Sequence, residues 1–184
     1  MNMEERLFVK NFPPGMEIPP ALVKLFRYQA SGKYKYSGHF YLYDRFWQKE
    51  WILEQQVRSD FVQFGFDADG SVYALWIYYP FALDSAPVVF LGSEWAGNKI
   101  LANSIREFLA LLSLGIPELG YAVEHQGWEK EASERPETID FRKWLARELD
   151  IQMPKDPLAI VETARARYPD LNRWLQDRTG LPPG

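Results

Sequence analysis

The chain contains no cysteine, and only two histidines occur among its 184 residues. The absence of cysteine excludes a disulfide framework and thiol chemistry, and it is what a reducing cytoplasm permits. Long hydrophobic runs are also missing, since no segment approaches the roughly 20 apolar residues needed to cross a bilayer. Residues 1–15 carry acids early and have no apolar run of signal-peptide length. The sequence therefore predicts a soluble cytoplasmic protein with no membrane partner.

The chain also lacks a cluster of positive charge: 21 Lys and Arg stand against 25 Asp and Glu, and the net charge is −4. Nucleic-acid binding requires neutralisation of phosphates by a basic stripe, so direct binding to DNA or RNA is not expected. An acidic surface suits a basic protein partner. A charge of −4 is equally what keeps an ordinary protein in solution.

The chain is rich in apolar residues: 47% are hydrophobic and 16% are aromatic. This is enough for the core of one domain over residues 1–184. Its central stretch contains short apolar runs rich in Phe, Tyr, Trp and Val, which are typical of strands. These runs are DFVQFGF (60–66), SVYALWIYYP (71–80) and PVVFLG (87–92). The intervening DADG (67–70) has the Asp and Gly of a hairpin turn. We therefore expect an antiparallel meander that leads into a helix.

The second of these strands is apolar on both faces. Side chains alternate along a strand, so Val72, Ala74, Trp76 and Tyr78 fall on one face, and Tyr73, Leu75, Ile77 and Tyr79 on the other. A strand of this kind is covered on both sides. The pattern predicts a central strand, with helices or a curled sheet edge over the second face.

Helices are predicted both before and after the meander in the sequence. Ser104 and Glu107 have the spacing of a capping box, followed by apolar residues at helical intervals up to Gly115. Further helices are predicted over 18–32 and 43–57, and residues 33–43 are expected to be extended. In the C-terminal third, 116–138 is interpreted as a long exposed connection with room for one helical turn, and amphipathic helices are predicted over the segments 139–151, 157–168 and 170–180.

No local motif for chemistry is found. His39 and His125 have no second ligand at metal spacing, and the sequence Asp67-x-Asp69-Gly70 lacks the closing Glu of a calcium loop. Gly92-Ser93 lacks the glycine pattern of a nucleophile elbow. Catalytic residues, a metal site and a cofactor are therefore not predicted. An excess of aromatic residues near polar Asp84, Glu94 and Asn98 is typical of a protein interface, and the alternative is that most of these aromatic residues belong to the core. They are Trp76, Tyr78, Tyr79, Phe81 and Trp95.

The order of these segments resembles the SUKH superfamily, which includes a yeast cell-wall-assembly regulator and many bacterial toxin-immunity proteins. The segments that carry the resemblance span 18–115 and are IPPALVKLFRYQASG (18–32), FGFDADGSVYALW (64–76), PVVFLGSE (87–94) and SIREFLALL (104–112). Residues 116–184 form a helical extension outside this match.

The resemblance implies an α+β fold with a curved, mainly antiparallel sheet flanked by helices. It also implies a non-enzymatic role, the binding and neutralisation of a cognate toxin, often a nuclease. For such a basic partner the expected contact residues are Glu94, Trp95, Asp67, Asp69 and Asp84. The alternatives are a regulatory or scaffold module with a host protein partner, and an enzyme whose deep pocket collects polar groups with perturbed pKa values.

Overall fold

A five-stranded antiparallel sheet lies at the centre of the computed structural model, which describes residues 3–33, 35–43, 56–79, 82–93 and 97–180. The strands pair in sequence order, so the sheet is a meander. The strands are β1 (Tyr41–Leu42), β2 (Phe61–Phe66), β3 (Val72–Trp76), β4 (Val88–Leu91) and β5 (Lys99–Ala102). The predicted α+β class, with an antiparallel sheet, flanking helices and additional C-terminal helices, is confirmed.

Two irregularities in register bend this sheet. One lies between Gln63 and Gly65, where β2 pairs with β3, and the other lies at Val88 and Val89, where β4 pairs with β5. An extra residue on one strand locally increases twist and curvature. The sheet is therefore curved.

The hairpin between β2 and β3 is the predicted DADG turn. The Asp67 amide donates to the Ser71 carbonyl at 2.8 Å, and the Gly70 amide donates to the Asp67 carbonyl at 3.0 Å. Gly70 has a φ of +90°, a backbone conformation that glycine adopts without a steric penalty. The turn prediction is confirmed.

Seven helices surround the sheet within the described residues. They are α1 (Met3–Val9), α2 (Pro20–Ala30), α3 (Ile105–Leu112), α4 (Leu119–Ala122), α5 (Pro136–Leu149), α6 (Pro157–Arg167) and α7 (Leu171–Thr179). The predicted helices over 18–32 and in the C-terminal third are confirmed. The helix predicted over 43–57 falls almost entirely on 44–55, which lie outside the described residues.

Helix α3 begins at the predicted cap. The Ser104 hydroxyl accepts from the Glu107 amide, and the Glu107 carboxylate accepts from the Asn103 amide at 2.8 Å. A capping box usually returns its carboxylate to the cap residue itself, whereas here the carboxylate reaches one residue further back. The reciprocal bonds satisfy two backbone donors at the start of the helix.

The two faces of the sheet have separate cores. Tyr73 and Leu75 belong to the larger core, which contains side chains of α1 to α5 and Val161 of α6. Val72, Ala74 and Trp76 belong to a second core with Ala164 of α6 and side chains of α7. This division matches the predicted alternation along β3. It also settles where the C-terminal helices lie, because Ala164, Leu171 and Leu175 are buried in the second core.

Three sequence interpretations are corrected. The segment 116–138 has the expected helical turn, α4, but it is not an exposed connection, since Ile116, Leu119, Val123 and Trp128 are buried. The run before α3 forms β5, which was not predicted. Only Tyr41–Leu42 of the extended segment 33–43 pair as a strand. In each case, long-range packing decides the conformation.

Among the described residues, no helix combines the length and apolar character needed to cross a membrane.

Candidate functional site

The β2–β3 turn meets Ser93, which follows β4, at one end of the sheet, here called the hairpin end. Connections in an antiparallel meander alternate between the two ends. The structure therefore brings Asp67 and Asp69 together, but it places Asp84, in the β3–β4 connection, at the opposite end. The five predicted contact residues therefore do not form one surface. Two of them, Glu94 and Trp95, lie outside the described residues.

Asp67 is buried, with 1% of its surface exposed. Its carboxylate accepts from the Tyr73 hydroxyl at 3.0 Å and from the Ala68 amide at 2.8 Å. Tyr73 is itself fully buried and needs an acceptor for its hydroxyl proton. The Asp67 carboxylate therefore satisfies a core tyrosine, and its contact with a partner stays a prediction.

The Tyr73 hydroxyl also connects the hairpin to α4. Its oxygen accepts from the Gly120 amide at 3.3 Å. Gly120 itself lies against the Phe90 ring so closely that a Cβ atom would clash with it. The hairpin, β4 and α4 are therefore held together by buried contacts.

Asp69 is exposed, yet it is firmly held. Its carboxylate accepts from the Ser71 amide at 2.9 Å, the Ser71 hydroxyl at 2.7 Å and the Tyr121 hydroxyl at 2.9 Å. The Ser71 hydroxyl oxygen also accepts from the Ser93 amide at 3.0 Å. Three separate segments thus fix one surface carboxylate.

The two carboxyl groups of the turn have pKa values shifted in opposite directions. Burial raises the pKa of Asp67 above its ordinary value of 3.8, and the donated hydrogen bonds only partly oppose this. Burial also acts on Asp69, but hydrogen bonds from Ser71 and Tyr121 outweigh it and hold that pKa below 3.8. The Asp69 carboxylate is therefore the more readily ionised of the pair.

We expect Asp67→Asn and Asp69→Asn to change stability with opposite pH dependence. For Asp67, the folded state binds more protons above pH 3.8, so the wild-type advantage over Asp67→Asn falls as pH rises through the raised pKa. For Asp69, the unfolded state binds more protons below 3.8, so the advantage over Asp69→Asn is lost as pH falls through the lowered pKa. Urea unfolding at a series of acidic pH values measures both, and slopes of the same sign would contradict the assignment.

A buried lysine lies beside this network. Lys99 of β5 has a side chain only 7% exposed, and its ammonium is 3.3 Å from the Glu124 carboxylate. Arg165 of α6 binds the same carboxylate oxygen at 2.9 Å. The Lys99 ammonium also lies 5.7 Å from the centre of the Tyr121 ring, within reach of a cation–π interaction.

This ion cluster lines a cavity of about 300 Å³ between β5, α6 and α7, together with Asn98 and Asn172. Burial lowers the pKa of Lys99, while Glu124 opposes the shift. Perturbed groups in a cavity are the feature that the enzyme alternative predicts. Here the Glu124 carboxylate binds both Lys99 of β5 and Arg165 of α6, so it is a structural link between the sheet edge and the C-terminal helices.

The predicted aromatic excess divides between core and surface. Trp76 is fully buried, whereas Tyr78 is 39% and Tyr79 is 63% exposed at the end of the sheet that also carries Asp84. Phe81, like Trp95, lies outside the described residues. Tyr78 and Tyr79 therefore lie away from the hairpin end, where the partly exposed aromatic side chains include Tyr41, Phe66 and Tyr121.

Sequence reasoning missed Tyr121, Glu124 and Lys99. The first two lie in the segment interpreted as exposed, and the third lies in the unpredicted strand. A usable signal existed, because Ile116, Leu119 and Val123 recur at three- and four-residue intervals, a helical pattern.

The fold and this site define a class: an α+β protein with an antiparallel meander, helices on both faces and a polar cluster at the hairpin end. No family model, curated protein or solved structure matches the chain.

Proposed function

We propose that this protein is a non-enzymatic binding protein of the immunity type, which neutralises a cognate toxin by contacting a basic surface. The observation that carries the proposal is the exposed Asp69 carboxylate, held by Ser71 and Tyr121 at the hairpin end. The resemblance to the SUKH superfamily supports it, and so does the curved antiparallel sheet between helices that this resemblance implies.

A carboxylate fixed before binding suits this role. Association costs free energy when mobile side chains are ordered at an interface, and a preorganised group avoids part of that cost. Glu118 is exposed on the segment that carries Tyr121 and adds a second acidic group beside the fixed one. Such a surface accelerates encounter with a basic partner.

Co-expression tests the function as a whole. If a toxin is encoded beside the gene, this protein should restore growth to cells that express the toxin, and the two chains should purify as a complex. Loss of protection together with failure to form a complex would contradict the proposal. Recovery of a housekeeping protein from the native cells instead would favour the regulatory or scaffold alternative.

We expect Asp69→Lys to slow association with that toxin roughly tenfold at low salt, because it reverses the charge of the fixed group. The loss should shrink in high salt, where surface charges are screened. Surface plasmon resonance at two salt concentrations measures the association rate.

Asp84→Lys is the matched control, since Asp84 is also exposed and lies at the opposite end of the sheet. It should leave the association rate within about twofold of wild type, as expected for a charge far from the interface. Equal slowing by both substitutions would show that only the overall charge matters and would contradict a contact at the hairpin end.

A further inference from the structure

A basic groove lies between α2 and α5, away from the hairpin end. Its volume is about 600 Å³, and the cations that line it are Lys24, Arg27, Lys33, Lys143 and Arg147. They come from two regions more than 100 residues apart in the sequence, so they form no visible run. The fold thus creates a concentration of positive charge on a chain whose net charge is −4.

Nearby acids only partly balance these cations. Arg27 pairs with Glu5 at 2.8 Å, Arg147 pairs with Glu148 at 2.8 Å, and Lys143 lies 3.8 Å from Asp140. These ion pairs place three carboxylates beside the five cations of the groove, which leaves two more positive than negative charges among these described residues. An anionic ligand would offset this excess.

Two of the cations are well placed to meet a ligand. Lys143 and Arg147 are one helical turn apart on α5, and the side chain of each is 72% exposed. Their existing ion pairs are exposed to solvent and therefore weak. A competing carboxylate can replace those partners at little cost.

The aromatic residues of the groove help to identify the ligand. Trp144 packs 4.5 Å from the Tyr28 ring and stacks on Phe141, and Tyr28 is only 7% exposed. Single-stranded nucleic acids bind through exposed rings on which bases stack, and the Tyr28 ring is not available for this. Among the described residues that line the groove, Trp144 is the one partly exposed ring. A single ring suits contact with an apolar side chain of a peptide better than the stacking of successive bases.

We propose that the groove between α2 and α5 binds an acidic peptide segment of a protein partner, with Lys143 and Arg147 engaging its carboxylates and Trp144 contacting its apolar side chains. Mixed charged and aromatic contacts of this kind are typical of protein interfaces. The groove is separate from the hairpin end, so this proposal does not depend on the toxin contact.

Fluorescence anisotropy with the full chain tests the proposal. The probes are a fluorescein-labelled peptide rich in Glu with interspersed Leu, and a labelled oligothymidylate. The peptide should bind at low salt, and Lys143→Glu/Arg147→Glu should weaken its binding about tenfold or more. Lys130→Glu/Lys155→Glu changes the net charge equally at two exposed positions outside the groove, and it should weaken binding less than about twofold.

A second variant guards against misfolding. If circular dichroism shows that the charge reversal perturbs the fold, Lys143→Gln/Arg147→Gln decides instead, with an expected loss of about threefold. Absence of peptide binding at low salt, equal weakening by the control pair, or unchanged binding in the Gln variant would overturn the proposal. Tighter binding of the oligothymidylate would overturn it in favour of a nucleic-acid ligand.

Discussion

Replacing Ala164 by Asp should destabilise the protein by at least about 3 kcal/mol, because it introduces a carboxylate without a partner into an apolar layer. Ala164 is fully buried in α6 and belongs to the core that includes Trp76, Val89 and Ile100. The loss would be a large part of a total stability that is typically about 5–15 kcal/mol.

Ala166→Asp provides a matched control, since it makes the same change two residues further along the helix, where the side chain is exposed. We expect a loss of less than about 1 kcal/mol, mainly from an acidic group in the last turn. Urea unfolding followed by circular dichroism measures both variants. Similar losses in the two would show that α6 does not cover the sheet.

Phe108→Ala should have an effect of similar size, about 3–5 kcal/mol, because it empties the centre of the larger core. The Phe108 ring is fully buried in α3. Its centre lies 5.6 Å from the Phe40 ring, 5.6 Å from the Phe64 ring and 5.3 Å from the Tyr73 ring. Substitution would leave a cavity beneath three aromatic groups that cannot all move inward.

Phe66→Ala is the comparison for Phe108→Ala. Phe66 lies at the end of β2, is only partly buried, and stacks on Tyr41 and Tyr43. Its removal should cost about half as much, since solvent already reaches the ring. If the two variants had equal midpoints in urea, α3 would not be the main contact of the sheet on this side.

The Phe108→Ala substitution also has a consequence for the proposed function. Tyr73 contacts Phe108 through its ring and Asp67 through its hydroxyl. Packing below the sheet therefore supports the turn that holds Asp69 at the surface. We expect Phe108→Ala to weaken the hairpin end as well as the core.

Much of the local structure is predictable from the sequence. The DADG turn, the Ser104 cap and the alternation along β3 all follow from neighbouring residues, and the structure confirms each of them. These features depend on backbone hydrogen bonds and side-chain direction within a few residues. A single sequence contains that information.

The sequence gives no direct sign of which polar residue is exposed. Asp67 and Asp69 occupy one turn and look equivalent in the sequence, yet one binds a core tyrosine and the other faces solvent. Their difference depends on Tyr121, which is 52 residues from Asp69. The buried Lys99 likewise owes its environment to α4 and α6.

The sequence by itself determined the class of fold, the main turns and the helix starts, because short-range hydrogen bonding and hydrophobic periodicity specify them. Three things came only from the tertiary structure: which helices cover the second sheet face, which carboxylate of the turn is held by Tyr121, and the position of the cations between α2 and α5. Each of these features depends on contacts between residues that are distant in the chain. An example is the hydrogen bond from the Lys24 ammonium to the Glu148 carbonyl, which are 124 residues apart. Such contacts arise only when the buried faces of separate elements pack together.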